Sequence, residues 1–260
     1  MKVAVMGAGG RMGGAVIRVL NESSDLELVA AIDRAEGDAG EKAGVGKLGV
    51  AFTSEVSAVG AADVVIDFSL PDGAQALFQA CLESKTPVVT GTTNLSKEAQ
   101  ATLDALAASV PVVAAPNFSQ GVTLLFDLAA RAAELAGPAF DAEIVEMHHR
   151  HKVDAPSGTA NRLAEVVAEA KALQPDPFVH GRSGHTGART DGEVGVMTLR
   201  GGDVVGEHTL YLATAGERLE LTHRATDRTI FARGAVRAAR WVVGKAPGRY
   251  DMRDVMGLAG

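Results

Sequence analysis

The densest run of reactive side chains is Glu146-Met-His148-His149-Arg150-His151-Lys152-Val-Asp154-Ala-Pro156-Ser157-Gly158-Thr159, which packs three histidines and two fixed cations into five residues. Imidazole exchanges protons near neutral pH, and ammonium and guanidinium groups bind carboxylates. The segment therefore suits a general acid set beside an anion-binding surface. Ser157, Gly158 and Thr159 stand where a helix begins, with Leu163, Val166, Val167 and Ala170 as its apolar face. A helix start offers backbone and hydroxyl donors, and its dipole adds about 0.3–1 kcal/mol for an anion. With Lys152 and a histidine contributing charge-assisted bonds, the pattern describes a site for a small polyanion. A metal centre is the poorer reading, because the segment has no cysteine and adjacent histidines on a continuing strand point in opposite directions.

A second chemical segment opens the chain. Val3-Ala-Val-Met6 leads into Gly7-Ala8-Gly9-Gly10-Arg11-Met12-Gly13 and then a helical pattern. Glycines between a strand and a helix permit a tight turn and let the backbone approach a pyrophosphate at the helix N-terminus. The spacing is Gly7-x-x-Gly10-x-x-Gly13 with Gly9 additional, a variant of the usual dinucleotide fingerprint. Support comes from Leu28-Val-Ala-Ala-Ile-Asp33, a strand that ends in a carboxylate 20 residues beyond Gly13, where a ribose-binding acid belongs. Arg34 follows directly and suits a 2′-phosphate. Asp33 favours NADH and Arg34 favours NADPH, so the choice between the two stays open.

These segments need a frame, and hydrophobic periodicity supplies one. Apolar runs at Val3–Met6, Leu26–Ile32, Val64–Asp67, Pro87–Thr90 and Pro111–Ala114 alternate with helical patterns at 11–20, 72–84 and 96–108, the last opening on Ser96 as N-cap. Strands apolar on both faces in βα alternation predict an α/β fold with a Rossmann-type, doubly wound parallel sheet. Ligands bind such sheets at the carboxyl ends of the strands, which brings Gly91-Thr92-Thr93 and Ala115-Pro116-Asn117-Phe118 into the cofactor site. Beyond Ser119 the rhythm changes: a helix to Ala136, a strand at 141–147, a helix at 160–173, and strands at 193–199, 204–213 and 218–223. This predicts a smaller α+β domain. A helix at 230–243 fits either domain by pattern. The Gly-rich stretch from Pro175 to Gly192 exceeds the ~12–15 residues at which structureless loops become uncommon, and reads as either a lid or a surface excursion.

Composition narrows the partners. The 260 residues carry a net charge of −7 and are 4% aromatic, which disfavours anionic membranes and leaves no base-stacking platform for nucleic acid. The 22 uncharged residues from Ala105 to Phe126 are interrupted by Pro111, Pro116 and Asn117, and so read as strand, loop and helix start, without a membrane span. The single cysteine, Cys81, cannot form an internal disulfide, and the N-terminus lacks a long apolar signal core. A cytoplasmic protein is expected. Residues 224–254 hold seven Arg and one Lys against three Asp. Arg233, Arg237 and Arg240 recur at helical spacing, as a solvated face or a contact with a negative surface.

Taken together, the His148–Thr159 segment, Gly7–Met12, Gly91–Thr93, Pro116–Ser119, Gly184-His-Thr-Gly187, Gly206-Glu-His208, Phe231–Val236 and Asp251–Val255 resemble the dihydrodipicolinate reductases over essentially the whole chain. The resemblance implies an NADH- or NADPH-dependent reduction of a cyclic imine dicarboxylate in lysine and diaminopimelate synthesis. It implies His148 as proton donor or acceptor and Lys152 as a second proton donor. His149, Ser157, Gly158, Thr159 and Thr93 would hold substrate, and Gly7, Ala8, Gly9, Gly10, Arg11, Met12, Asp33, Arg34, Gly91, Thr92, Thr93, Ala115, Pro116, Asn117 and Phe118 the dinucleotide. It further implies a discontinuous cofactor domain (1–119 and 230–260), a substrate and tetramerisation domain (120–229), and a homotetramer. The competing readings are another two-domain oxidoreductase acting on an amino or keto acid, and a noncatalytic dinucleotide sensor. The second has no use for His148 and Lys152 together.

Overall fold

Strand β1 (Lys2–Met6) is followed by α1 (Arg11–Asn21), β2 (Glu27–Ile32), α2 (Ala39–Ala43), β3 (Phe52–Thr53), β4 (Val64–Asp67), α3 (Pro71–Ser84), β5 (Val88–Thr90), α4 (Lys97–Ala107) and β6 (Pro111–Ala114) in the computed structural model, which describes residues 1–258. Helix α5 (Gln120–Ala136), β7 (Asp141–His148), α6 (Gly158–Ala170), β8 (Phe178–Val179), β9 (Val194–Arg200), β10 (Gly206–Thr214) and β11 (Glu217–Ala225) come next. The described chain closes with α7 (Thr229–Val242), β12 (Gly248–Tyr250) and α8 (Met252–Met256). Two compact units result, one built from residues 1–120 and the chain from Thr229 onward, the other from Gly121–Arg228.

The first unit is a seven-stranded sheet in the order β12-β6-β5-β4-β1-β2-β3, with every neighbouring pair parallel. Its central strands are buried on both faces, as expected of Val- and Ile-rich runs covered by helices. One apolar layer packs α1 and α7 over Val3, Val5 and Ile66; the other packs α3 and α4 over Ala4, Val65 and Val88. Two strands escape hydrophobic periodicity, β3 and β12, because runs of two and three residues hold no period; neighbours at the sheet edges define them.

Helix α7 presents Arg233, Arg237 and Arg240 on an exposed face, as their spacing suggests. Its small face, Ala232, Ala235, Ala238 and Ala239, is buried. On the outer side Arg233 pairs with Glu22 and Arg240 forms a fork on Asp25, so the negative surface these cations meet lies at the end of α1 and just beyond it. Cys81 is buried in α3, and burial pushes its thiol up to about 12.

The second unit carries a five-stranded mixed sheet, β11-β10-β7-β9-β8. Strands β7 and β9 are parallel, whereas β10 is antiparallel to both β7 and β11. Ala142, Ile144, Val194, Val196, Leu210 and Leu212 form its core face, together with Leu163 and Val167 of α6 and Ala129 of α5. The Gly-rich stretch contains β8, and its remainder is tied back to the sheet: Arg182 and Arg189 both bond Glu143, and Arg189 also reaches Asp141.

Candidate active site

The carboxyl edge of the parallel sheet gathers every dinucleotide-binding candidate. Gly7, Ala8, Gly9 and Gly10 form the turn after β1; Arg11 and Met12 begin α1; Asp33 and Arg34 follow β2. Gly91, Thr92 and Thr93 follow β5, and Ala115, Pro116, Asn117 and Phe118 follow β6. The turn depends on its glycines. Gly7 has φ +74°, and a Cβ on Gly13 would stand 2.2 Å from the Gly7 carbonyl oxygen. Gly10 caps α1 without a side-chain acceptor, which leaves the first helical N–H groups for an anion. The Gly9 N–H donates to Asp33 Oδ2 at 2.9 Å and the Arg34 N–H donates to Oδ1 at 2.7 Å. Asp33 thus shapes the loop while keeping lone pairs for a ribose hydroxyl. A backbone cradle with a helix N-terminus and a strand-end carboxylate fits a dinucleotide.

Below the β4–β5 edge lies a carboxylate that motif reading did not single out. Asp67, 0% exposed, accepts from the Thr90 hydroxyl at 2.7 Å, the Thr92 hydroxyl at 2.9 Å and the Ser69 N–H at 2.9 Å. Burial pushes its carboxyl above the ordinary range, against the hydrogen bonds from Ser69, Thr90 and Thr92. Through Thr92 it holds the Gly91–Thr93 loop. Thr92, Thr93 and Pro116 line a cavity of about 210 Å³ that also includes Asn94 and Arg249. Phe118 departs from expectation: its ring is 1% exposed and packs edge-on against Phe68 at 5.7 Å, so the side chain supports the loop from beneath.

The second unit assembles the histidine segment by strand register. On β7, Glu146 and His148 share a face. Register pairs Glu146 with Thr198 of β9 and His208 of β10, and His148 with Arg200. Five donors converge on the fully buried Glu146 carboxylate: His148 Nδ1 at 2.5 Å, Arg200 Nη1 and Nη2 at 2.9 Å each, the Ser157 N–H at 3.1 Å and the Thr198 hydroxyl at 3.2 Å. Burial pushes this carboxyl up, but the bonds from His148 and Arg200 outweigh it and hold the group down at about 2. The His148 ring meets His208 edge-on at 5.2 Å. Burial and the nearby His148 push His208 down to about 4, so it is neutral at physiological pH.

Lys152 donates twice to Asp154, at 2.8 Å to each oxygen. His149 Nε2 lies 3.2 Å from Arg228 Nη2, and burial and that guanidinium push the imidazole below its ordinary range. The neutral ring accepts from Arg228, and its buried Nδ1 has no protein partner. His151 stands against His149 with ring centroids 6.3 Å apart. Gly158 and Thr159 open α6, and a Cβ on Gly158 would meet nothing within 4 Å. Ser157 corrects the sequence reading. It is 2% exposed, its N–H is taken by Glu146, and its hydroxyl oxygen caps the Ala160 N–H and contacts His208 Nε2 at 3.0 Å. The residue builds the helix start: it is buried, and its N–H is already spent on Glu146. Arg200 and Arg228 were invisible to motif reading because they lie on distant elements, and His208 entered only within the Gly206-Glu-His208 motif, with no role attached; the His-rich segment carries no local signal for any of them.

A dinucleotide cradle in one unit and a buried acid–base cluster in the other define a two-unit α/β protein of the oxidoreductase type. Residues 1–118 match the family model described as dihydrodipicolinate reductase, N-terminus, and residues 121–256 the model for its C-terminus. The chain belongs to the dihydrodipicolinate reductase family. It is 50% identical over 264 residues to the 4-hydroxy-tetrahydrodipicolinate reductase of Alkalilimnicola ehrlichii, covering 99% of each chain. Identity to the same-named protein of Syntrophotalea carbinolica is 48% over 265 residues, again 99% of each. Among solved structures, the dipicolinate-bound dihydrodipicolinate reductase of Paenisporosarcina sp. TG-14 superposes with TM-score 0.77 at 26% identity, covering 96% of this chain and 97% of that one.

Proposed function

We propose that the chain is an NADH- or NADPH-dependent 4-hydroxy-tetrahydrodipicolinate reductase. It converts 4-hydroxy-tetrahydrodipicolinate, NAD(P)H and one proton into tetrahydrodipicolinate, NAD(P)⁺ and water, with dihydrodipicolinate as the species reduced. The observation that carries this reading is the Glu146–His148 pair at the opening of α6, beside Lys152 and His149. When bound in the Gly7–Gly13 cradle, the nicotinamide cofactor supplies the hydride. Electron density then moves toward the ring nitrogen, and a proton must follow. His148 delivers it, with Lys152 as the second donor; a positioned acid of this kind contributes about 10²- to 10⁴-fold.

Carboxylates of the substrate meet His149, the Gly158 and Thr159 opening of α6, and Arg228, whose contact with His149 places a fixed cation there. The unpartnered Nδ1 of His149 supports this assignment. Thr93, in the first unit's cavity, serves both substrate and cofactor in the proposal. The first unit accordingly acts as the dinucleotide-binding domain and the second as the substrate-binding domain.

The same reading makes the protein a cytoplasmic homotetramer. Among the described residues no helix is long and apolar enough to cross a membrane. Leu199, 50% exposed, lies on the face of the second sheet away from its helices, consistent with an assembly surface there. Light scattering of the purified chain checks the assembly. The activity is tested by following NADH and NADPH oxidation with and without freshly generated cyclic substrate; cofactor binding without substrate-dependent oxidation overturns the proposal. Lys152→Ala is expected to lower turnover by about 10²-fold or more with cofactor affinity unchanged.

A further inference from the structure

The geometry points to Glu146 and Arg200 as a positioning pair that fixes the His148 ring as its Nδ1–H form, leaving Nε2 as the nitrogen that serves the substrate. This rests on the proposed reductase reading only in the role given to His148; the pair itself stands on the fold. Glu146 is fully buried and accepts from two nitrogens of the Arg200 fork, so it is held as an anion beside the ring. An ionised carboxylate can only accept, hence the nitrogen 2.5 Å from it must donate. Fixing one imidazole nitrogen this way assigns the other to chemistry.

Arg200 reaches both proposed proton donors. Its Nη1 and Nη2 grip Glu146, the partner of His148, while Nη2 also donates to the Asp154 carbonyl at 2.7 Å, and Asp154 holds Lys152 through its carboxylate. One guanidinium thus sets the partner groups of both. Room for the ring is provided by Gly206, where a Cβ would stand 2.9 Å from His148 Nε2. The titratable and charged groups around His148 are Glu146 on its own strand, Arg200 on β9, His208 on β10, and His149, Lys152 and Asp154 on the following loop. Of these Glu146 is the anion that contacts the ring and can stabilise an imidazolium directly.

Glu146→Gln separates positioning from packing. The oxygen position facing Ser157, Thr198 and Arg200 Nη2 attracts the amide carbonyl. The amide nitrogen is then turned toward His148 Nδ1 and toward Arg200 Nη1, which loses its acceptor; Nδ1 must accept, so the ring carries its proton on Nε2 and loses its counter-ion. Ring ¹⁵N NMR should show Nδ1 protonated throughout in the wild type, with Nε2 alone gaining and losing its proton, whereas the neutral ring in Glu146→Gln carries its proton on Nε2. Turnover should fall about 10²-fold, the alkaline limb of the kcat/KM profile should move to lower pH, and NADH affinity by fluorescence titration should hold.

Wild-type turnover and pH profile in a folded Glu146→Gln variant overturn the inference. So does a wild-type neutral ring that carries its proton on Nε2 with Nδ1 bare, a result that needs no variant and remains decisive if Glu146→Gln does not fold. Absence of reductase turnover in the wild type would instead sink the reductase reading, while the NMR result still judges the pair.

Discussion

Each unit buries a carboxylate near the carboxyl end of a central strand, and the two are treated in opposite ways. Asp67, at the end of β4, is met by two threonine hydroxyls and a backbone N–H; burial prevails and its carboxyl is pushed up. Glu146, on β7, is met by a guanidinium fork and an imidazole, and is held down at about 2. Neutral donors orient a carboxyl group, whereas cationic donors keep it ionised. The difference matches the work proposed for each region. The dinucleotide cradle binds an anion with backbone N–H groups, and its buried acid has only to hold the Gly91–Thr93 loop. The substrate unit moves protons, and there a permanent anion beside His148 is part of the machinery.

The largest effect expected from this contrast is in Glu146→Ala. It strands the Arg200 guanidinium, 20% exposed, beside a ring that has lost its acceptor. Breaking such a pair on one side costs about 3–5 kcal/mol, to be read as a lower urea midpoint. Next comes the glycine turn. Gly13→Ala places a methyl 2.2 Å from the Gly7 oxygen and is expected to cost about 1–3 kcal/mol and to abolish NADH binding in a fluorescence titration. Gly158→Ala opens the other unit's helix into empty space and should leave stability within about 0.5 kcal/mol. A large loss there would break the distinction between the two helix starts.

The pH dependence separates the two carboxylates by sign. Glu146, lowered from 4.5 to about 2, contributes stability that is present above the unfolded value and lost as pH falls through that window. Asp67 is raised above 3.8, so its contribution is present below that value and lost as pH rises through its folded pKa. Thermal melts across acid pH should therefore lose part of their steepness between pH 4.5 and 2 in Glu146→Gln. In Asp67→Asn the variant should gain on the wild type as pH rises, by no more than about 1 kcal/mol. Parallel curves for the two variants would show that the carboxylates are not differently held.

Much of the frame was legible because it repeats. The strands at β1, β2, β4, β5 and β6 are unbroken apolar runs, and Ser96 and Ser157 announce α4 and α6 as N-caps that accept from Ala99 and Ala160. The glycine turn and the histidine run were legible for a related reason: their chemistry lies within a few consecutive residues. Hidden features depend on partners far along the chain. Arg200 and His208 reach Glu146 and His148 only through the register of β9 and β10 on β7. Ser157 reads as a substrate donor in a list of motif residues, yet the fold spends its N–H on Glu146 and its hydroxyl on Ala160 and His208. The arginines of α7 are exposed, as their spacing suggests, but their ion-pair partners Glu22 and Asp25 lie too far along the chain to be read from the helix alone.

The proposed reaction passes hydride from a nicotinamide ring to the cyclic dicarboxylate. It is tested most directly by single-turnover reaction of freshly generated substrate with NADH deuterated at the transferable position, read by mass spectrometry of the product. The expected result is one deuterium in the tetrahydrodipicolinate ring for each cofactor oxidised. Cofactor oxidation with no deuterium in the product, or none beyond the enzyme-free control, would contradict it.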